Sequence, residues 1–144
     1  MKKMKYFLGF IMMTAVIFIT NSCTESVPTY TNDIPQGCQD VARTHMNILV
    51  CDVTQTNYFG GVEVFMYLTD ADRTNDPQRT QYSQHAFTDN TDPINKGAMF
   101  YKTPFQKYFF FARKDLGGGN FLTGTQDSYP TWCTTKNVVV VVSQ

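Results

Sequence analysis

Past residue 40 the chain has no long stretch in which apolar residues recur every 3.6 positions, the rhythm a helical core needs. It has short runs rich in Val, Phe, Tyr and Thr, cut by Gly and Pro turns and closed by five consecutive valines at 138–142. Such runs suit a pleated, half-buried surface, and 15% aromatic residues strengthen the preference for strands. Residues 45–53 alternate Met46, Ile48 and Val50 against His45, Asn47 and Leu49. Tyr58-Phe59-Gly60-Gly61 reads as a turn into a strand at 62–69, with Val62, Val64, Met66 and Leu68 on one face. Residues 71–80 and 89–97, each with an Asp-Pro step, read as loops, and 81–88 as a strand between them. Strands at 98–101 and 108–113 flank a turn at Thr103-Pro104, a long Gly/Ser/Thr-rich loop follows at 116–131, and the valines form the last strand. Six to seven short strands predict an all-β fold, a small antiparallel β-sandwich over residues 41–144.

The N-terminus carries different information. Lys2, Lys3 and Lys5 precede an apolar run from residue 6 to 20, followed by Asn21-Ser22-Cys23. Positive start, hydrophobic middle and small residues before a cut make 1–22 an export signal, and the run is shorter than the roughly 20 residues of a spanning helix. Cys23 at the cut predicts lipidation and an outer-membrane lipoprotein of the bacterial cell envelope; ordinary cleavage to a secreted or periplasmic protein is the alternative. Residues 23–40, polar and rich in Thr, Ser, Pro and Asn, have the composition of a tether. Removing 1–22 takes away three of twelve Lys+Arg and none of twelve Asp+Glu, so the mature chain carries a net charge of about −3. That balance argues against a nucleic-acid partner.

The order of the domain's motifs resembles a family. A short strand ending in Asp52 is followed by Gly-x-x-Val-x-x-Tyr-Leu from Gly61 to Leu68, then Thr88-Asp89, Gly97, and the aromatic strand around Tyr108-Phe109-Phe110-Phe111. This series is similar to the carboxypeptidase-regulatory-like, or transthyretin-like, β-sandwich of Bacteroidetes surface lipoproteins. Asp89 and Gly97 are separated by seven residues where the family pattern has two. The resemblance implies a Greek-key sandwich in which the first and last strands run parallel as neighbours. Cys38 lies before the first strand and Cys133 before the last, so it also implies a Cys38–Cys133 disulfide, with Cys51 a small core residue; three reduced thiols are the alternative.

The residues offer no recognisable reaction. Asp70 to Asp76 alternates carboxylates and amides but has Arg73 inside it and lacks the Gly and terminal Glu of a calcium loop, so it reads as solvated rather than as a metal site. His45 and His85 flank different strands without an evident nucleophile. Gly117-Gly118-Gly119 reads as a flexible tip, since no helix pattern follows it to make a phosphate loop. No cofactor is expected. Phe65, Phe100, Phe109 and Phe111 read as core, whereas Tyr58, Phe59, Phe121, Tyr129 and Trp132 lie in loops. Those five suit either a lid over the sandwich or a surface for a glycan or protein ligand. The resemblance implies a non-catalytic binding or accessory module held at the membrane by lipid; a structural or assembly subunit of a surface complex is the alternative.

Overall fold

The computed structural model describes Cys38 and residues 44–144. The export signal, Cys23 and the tether lie outside the described residues. Seven strands and one helix follow in order: β1 His45–Cys51, β2 Glu63–Tyr67, α1 Asp70–Asn75, β3 Gln84–Phe87, β4 Ala98–Phe100, β5 Tyr108–Gly117, β6 Asn120–Ser128 and β7 Thr135–Val141. They form two sheets, β4-β1-β7 and β3-β2-β5-β6, packed as the expected sandwich. All pairings are antiparallel except β1 with β7, which run parallel from His45↔Thr135 to Cys51↔Val141.

Period-2 alternation builds the core. Met46, Ile48 and Val50 of β1 meet Val64 and Met66 of β2 and Tyr108, Phe110 and Ala112 of β5, with Phe100 of β4 between the sheets. The valine run splits by parity: Val138, Val140 and Val142 are buried, while Val139 and Val141 are half-buried on the other side. The parallel β1–β7 pairing brings the approaches to both strands to one end of the sandwich, and there Cys38 and Cys133 form a disulfide with Cα atoms 5.2 Å apart. Cys51 is a free thiol, 0% exposed.

Four expectations need correction. The loop at 116–131 is mostly strand: β5 continues to Gly117, and β6 returns alongside it from Asn120. Gly117, Gly118 and Gly119, all at positive φ (84°, 64°, 81°), make the tight turn of that hairpin instead of a loose tip. The loop at 71–80 contains α1, capped by Thr69, whose Oγ1 accepts from Asp72 N at 3.0 Å. Finally, Phe110, not Phe109 or Phe111, enters the core. Phe109 and Phe111 share the opposite, outer face of the four-stranded sheet with Phe65, which is buried there as expected (2% exposed), in line with the register Phe65↔Phe111 and Tyr67↔Phe109. The 70–81 segment covers part of that face. Tyr67 is 1% exposed there, its hydroxyl donating to Asp76 Oδ2 at 3.1 Å, and Arg79 lies 3.6 Å from the centre of the Phe111 ring.

Candidate binding groove

The two lateral sides of the sandwich differ. On one, β6 and the end of β7 are tied by reciprocal backbone hydrogen bonds between Thr123 and Ser143 (2.9 and 3.0 Å). Gly124 permits this approach, because a Cβ there would lie 2.1 Å from the Val141 carbonyl oxygen. On the other side, β3 and β4 are the outermost strands of their sheets, are not paired with each other, and leave a groove of about 520 Å3. Ala86 and Met99 line it, together with Phe87, Asp89, Asn95, Lys96, Gly97 and Tyr101. By strand parity Phe87, beside His85 and Phe65, is on the outer face of the four-stranded sheet, whereas Tyr101, beside His45, is on the outer face of the three-stranded sheet. They are 59% and 58% exposed, far more than aromatic side chains that serve packing alone.

The loop between them is held by its own hydrogen bonds. Asp89 Oδ1 accepts from Thr91 N (2.7 Å), Thr91 Oγ1 (2.6 Å) and Asp92 N (3.0 Å), while Asp89 N donates to Lys96 O at 3.0 Å. The Thr91 hydroxyl, then the Thr91 and Asp92 amides, and more weakly the Lys96 charge, outweigh burial and hold the Asp89 carboxyl below the usual range. Asp89 is thus ionised beside a cation. Asn47 Nδ2 donates to Asn95 O (3.2 Å) and fastens the loop to β1. Gly97 passes so close to β1 that a Cβ would lie 2.2 Å from Ile48 O.

The chain has two histidines, and each braces one of the two exposed rings. The His85 ring lies edge-on to Phe87 (4.9 Å between centroids) and stacks on Phe65 at 4.8 Å. Its Nε2 is 3.1 Å from Glu63 Oε1, out of line for a hydrogen bond, and this approach is an ion pair only when the imidazole is protonated. Glu63 is itself held by Arg113 through Nε (3.1 Å) and Nη2 (2.5 Å). His45 meets Tyr101 edge-on at 5.1 Å and accepts from Lys102 N at its Nδ1 (3.3 Å).

The five loop aromatics singled out in the sequence do not form one surface. Tyr129 and Trp132 gather at the disulfide end, where Trp132 stacks on Phe105 at 4.5 Å and Tyr129 lies 6.3 Å from the same ring. Tyr58 and Phe59 lie at the opposite end: Tyr58 bridges to Cys51, and Phe59 packs on the core. Phe121 is on β6, 39% exposed, with Arg113 5.2 Å from its ring centre. Phe87 and Tyr101 were read only as part of strands. The parity that puts Ala98 and Phe100 inside does turn Met99 and Tyr101 out, but the meeting of two strand edges leaves no local mark in the sequence.

In the acidic segment, Asp70 pairs with Arg73 at 2.5 Å, and the Asp76 carboxylate accepts from Thr80 N, Gln81 N and the Tyr67 hydroxyl. Among the described residues no three His, Cys, Asp or Glu side chains converge on a metal-sized space.

No family model and no curated protein matches the chain. Among solved structures, a Pseudomonas aeruginosa protein provisionally described as carbohydrate-binding is similar over 79% of this chain and 98% of that one, at 14% identity and a TM-score of 0.45. A similarity of that size transfers no function.

Proposed function

We propose that the chain is an exported cell-envelope lipoprotein whose sandwich is a non-catalytic binding module, with the β3–β4 groove as its ligand site. In this reading 1–22 is the signal, Cys23 carries lipid, 23–40 is the tether and 41–144 the binding domain. The Cys38–Cys133 disulfide supports export, since such bonds persist in oxidising compartments. The observation that carries the binding role is the groove: about 520 Å3, the size of a small-ligand site, with the exposed residues Phe87 and Tyr101 among its lining. Display from a rigid sandwich then fixes the lining residues in place. Phe121 extends the exposed surface, while Tyr58, Phe59, Tyr129 and Trp132 shape the two ends. The alternative, an assembly subunit offering a strand edge, would draw on the longer outermost strands β6 and β7, since on the groove side β3 is four residues long and β4 three.

The binding role is tested by retention of the purified protein on the organism's own sedimented envelope. Wild type should be retained, and Phe87→Ala with Tyr101→Ala should lower retention about tenfold or more with the fold intact by circular dichroism. Equal retention of both proteins would reject the groove. Cys23→Ser should abolish the added mass of lipid and release the protein from the membrane fraction; an unshifted, still membrane-bound variant rejects the anchor.

A further inference from the structure

We infer that the outer face of the four-stranded sheet carries a second ligand surface, which takes an uncharged oligosaccharide stacked on Tyr82 and Phe87. The inference rests on the binding role of the module but not on the groove. Here the rings gather at one place. Phe65, almost wholly buried, is the floor; the His85 ring stacks on it at 4.8 Å, and the Tyr82 ring lies 5.2 Å from it. Tyr82 and Phe87 also both touch His85, at 5.3 and 4.9 Å between centroids. Tyr82 is 39% exposed and Phe87 more than half, so two braced rings offer apolar area with little side-chain freedom left to lose.

Polar groups border the rings. Phe87 stands opposite Glu63 in the β2–β3 register, and Glu63 opposite Arg113 in the β2–β5 register, so the three share one row across the face. The Arg113 guanidinium lies 5.6 Å from the Phe65 ring centre and gives Glu63 two hydrogen bonds, from Nε and Nη2. A guanidinium has five N–H donors, and the exposed Tyr82 hydroxyl adds a donor and an acceptor. A sugar matches this alternation. Its C–H face stacks on a ring, and its hydroxyls donate and accept at the rim.

Charge and backbone pairing narrow the class. Glu63 and Arg113 cancel each other, and Arg79, over the neighbouring Phe111 ring, lies in the field of Asp76. The fixed charges beside the rings therefore favour neither a uronate or sulfated chain nor a basic peptide. The central strands β2 and β5 are paired on both edges, so this face offers an extended peptide no strand to join. A dry protein interface would have to bury the Glu63–Arg113 pair that interrupts the apolar surface.

The test is a glycan array bearing neutral, uronate-containing, sialylated and sulfated glycans, probed with the full mature protein and followed by calorimetry on the best soluble hit. Neutral glycans should bind, and about tenfold more weakly after Tyr82→Ala or Phe87→Ala, with the circular dichroism spectrum unchanged. Tyr82→Phe should cost less than Tyr82→Ala, because the ring remains. Tyr101 lines the groove and Tyr82 does not, so Tyr101→Ala should leave glycan binding as it is. Neutral binding that is lost with Tyr101→Ala but kept by Tyr82→Ala would overturn the inference and leave the groove as the site. Preference for acidic glycans, or no glycan binding at all, would overturn it too. In that last case, envelope retention that persists keeps the binding role, and its absence removes the role as well.

Discussion

Replacing Cys38 and Cys133 together by Ala removes a cross-link that spans 95 positions, almost the whole described domain. In the chain-entropy account, closing a loop of that length removes about 16 cal/mol/K from the unfolded ensemble, or about 4.7 kcal/mol at 25 °C. On the native side little is lost. Trp132 still stacks on Phe105, and the Cys133 amide still reaches Thr44 Oγ1 (3.4 Å). Ala at 133 must adopt the same left-handed φ of 57° that Cys133 holds, so backbone strain changes little. The expected loss is about 3–5 kcal/mol, a third or more of the stability of an ordinary domain. Equilibrium unfolding in urea reads it directly. The midpoint should fall and the slope should rise, because the unlinked chain expands further and exposes more surface. A loss below about 1 kcal/mol with an unchanged slope would refute the reasoning, since it would mean that the bridge constrains the unfolded chain hardly at all.

Gly97→Ala puts a Cβ 2.2 Å from the Ile48 carbonyl oxygen, a backbone atom that cannot swing aside, so β4 must move away from β1. Destabilisation of about 1–3 kcal/mol by chemical unfolding is expected, together with loss of groove binding; a neutral outcome would contradict the β1–β4 register. The Asp52 carboxyl is held down to about 2, first by hydrogen bonds from the Asn57 and Thr54 side chains. Its folded pKa lies below the unfolded value of about 3.9, so its stabilising contribution is complete above that value and disappears as pH falls towards about 2. Asp76 is lowered too: burial opposes its ionisation, but the Thr80 and Gln81 amides, the Tyr67 hydroxyl and Arg79 outweigh it. Stability measured against pH should therefore drop between about pH 4 and 2, and Asp52→Asn should make the drop shallower; a profile flat through that window argues against both assignments. Burial, and then the neighbouring Asp52 charge, pushes the Cys51 thiol up, so it stays protonated at neutral pH. Iodoacetamide at pH 8 should label it far more slowly in the folded than in the urea-unfolded protein, and fast labelling of the folded protein would show that the thiol is accessible.

Much of the architecture was legible because it rests on local alternation. Met46, Ile48 and Val50, the valines at 138–142, and Val62, Val64 and Met66 repeat with the period of a pleat, and burial follows that period. The family resemblance implied the parallel first and last strands and the Cys38–Cys133 bridge, and both are present. β6 escaped notice because Thr123, Gly124, Thr125, Gln126 and Asp127 carry no apolar alternation; its partner β5 makes it a strand. α1 is a turn and a half held by a cap, too short to show a helical period. Three consecutive phenylalanines at 109–111 fit a strand in either phase, and only pairing with β2 selects Phe110 for the core and turns its neighbours outward. The groove depends still more on the tertiary level, because Phe87 and Tyr101 belong to edge strands of different sheets. By itself, then, the sequence determined an all-β chain with a closing valine strand, because pleat parity is a local property. The choice of Phe110 over its neighbours, the hairpin at Gly117–119 and the groove between β3 and β4 were decided only in three dimensions, because each depends on which distant strands lie side by side.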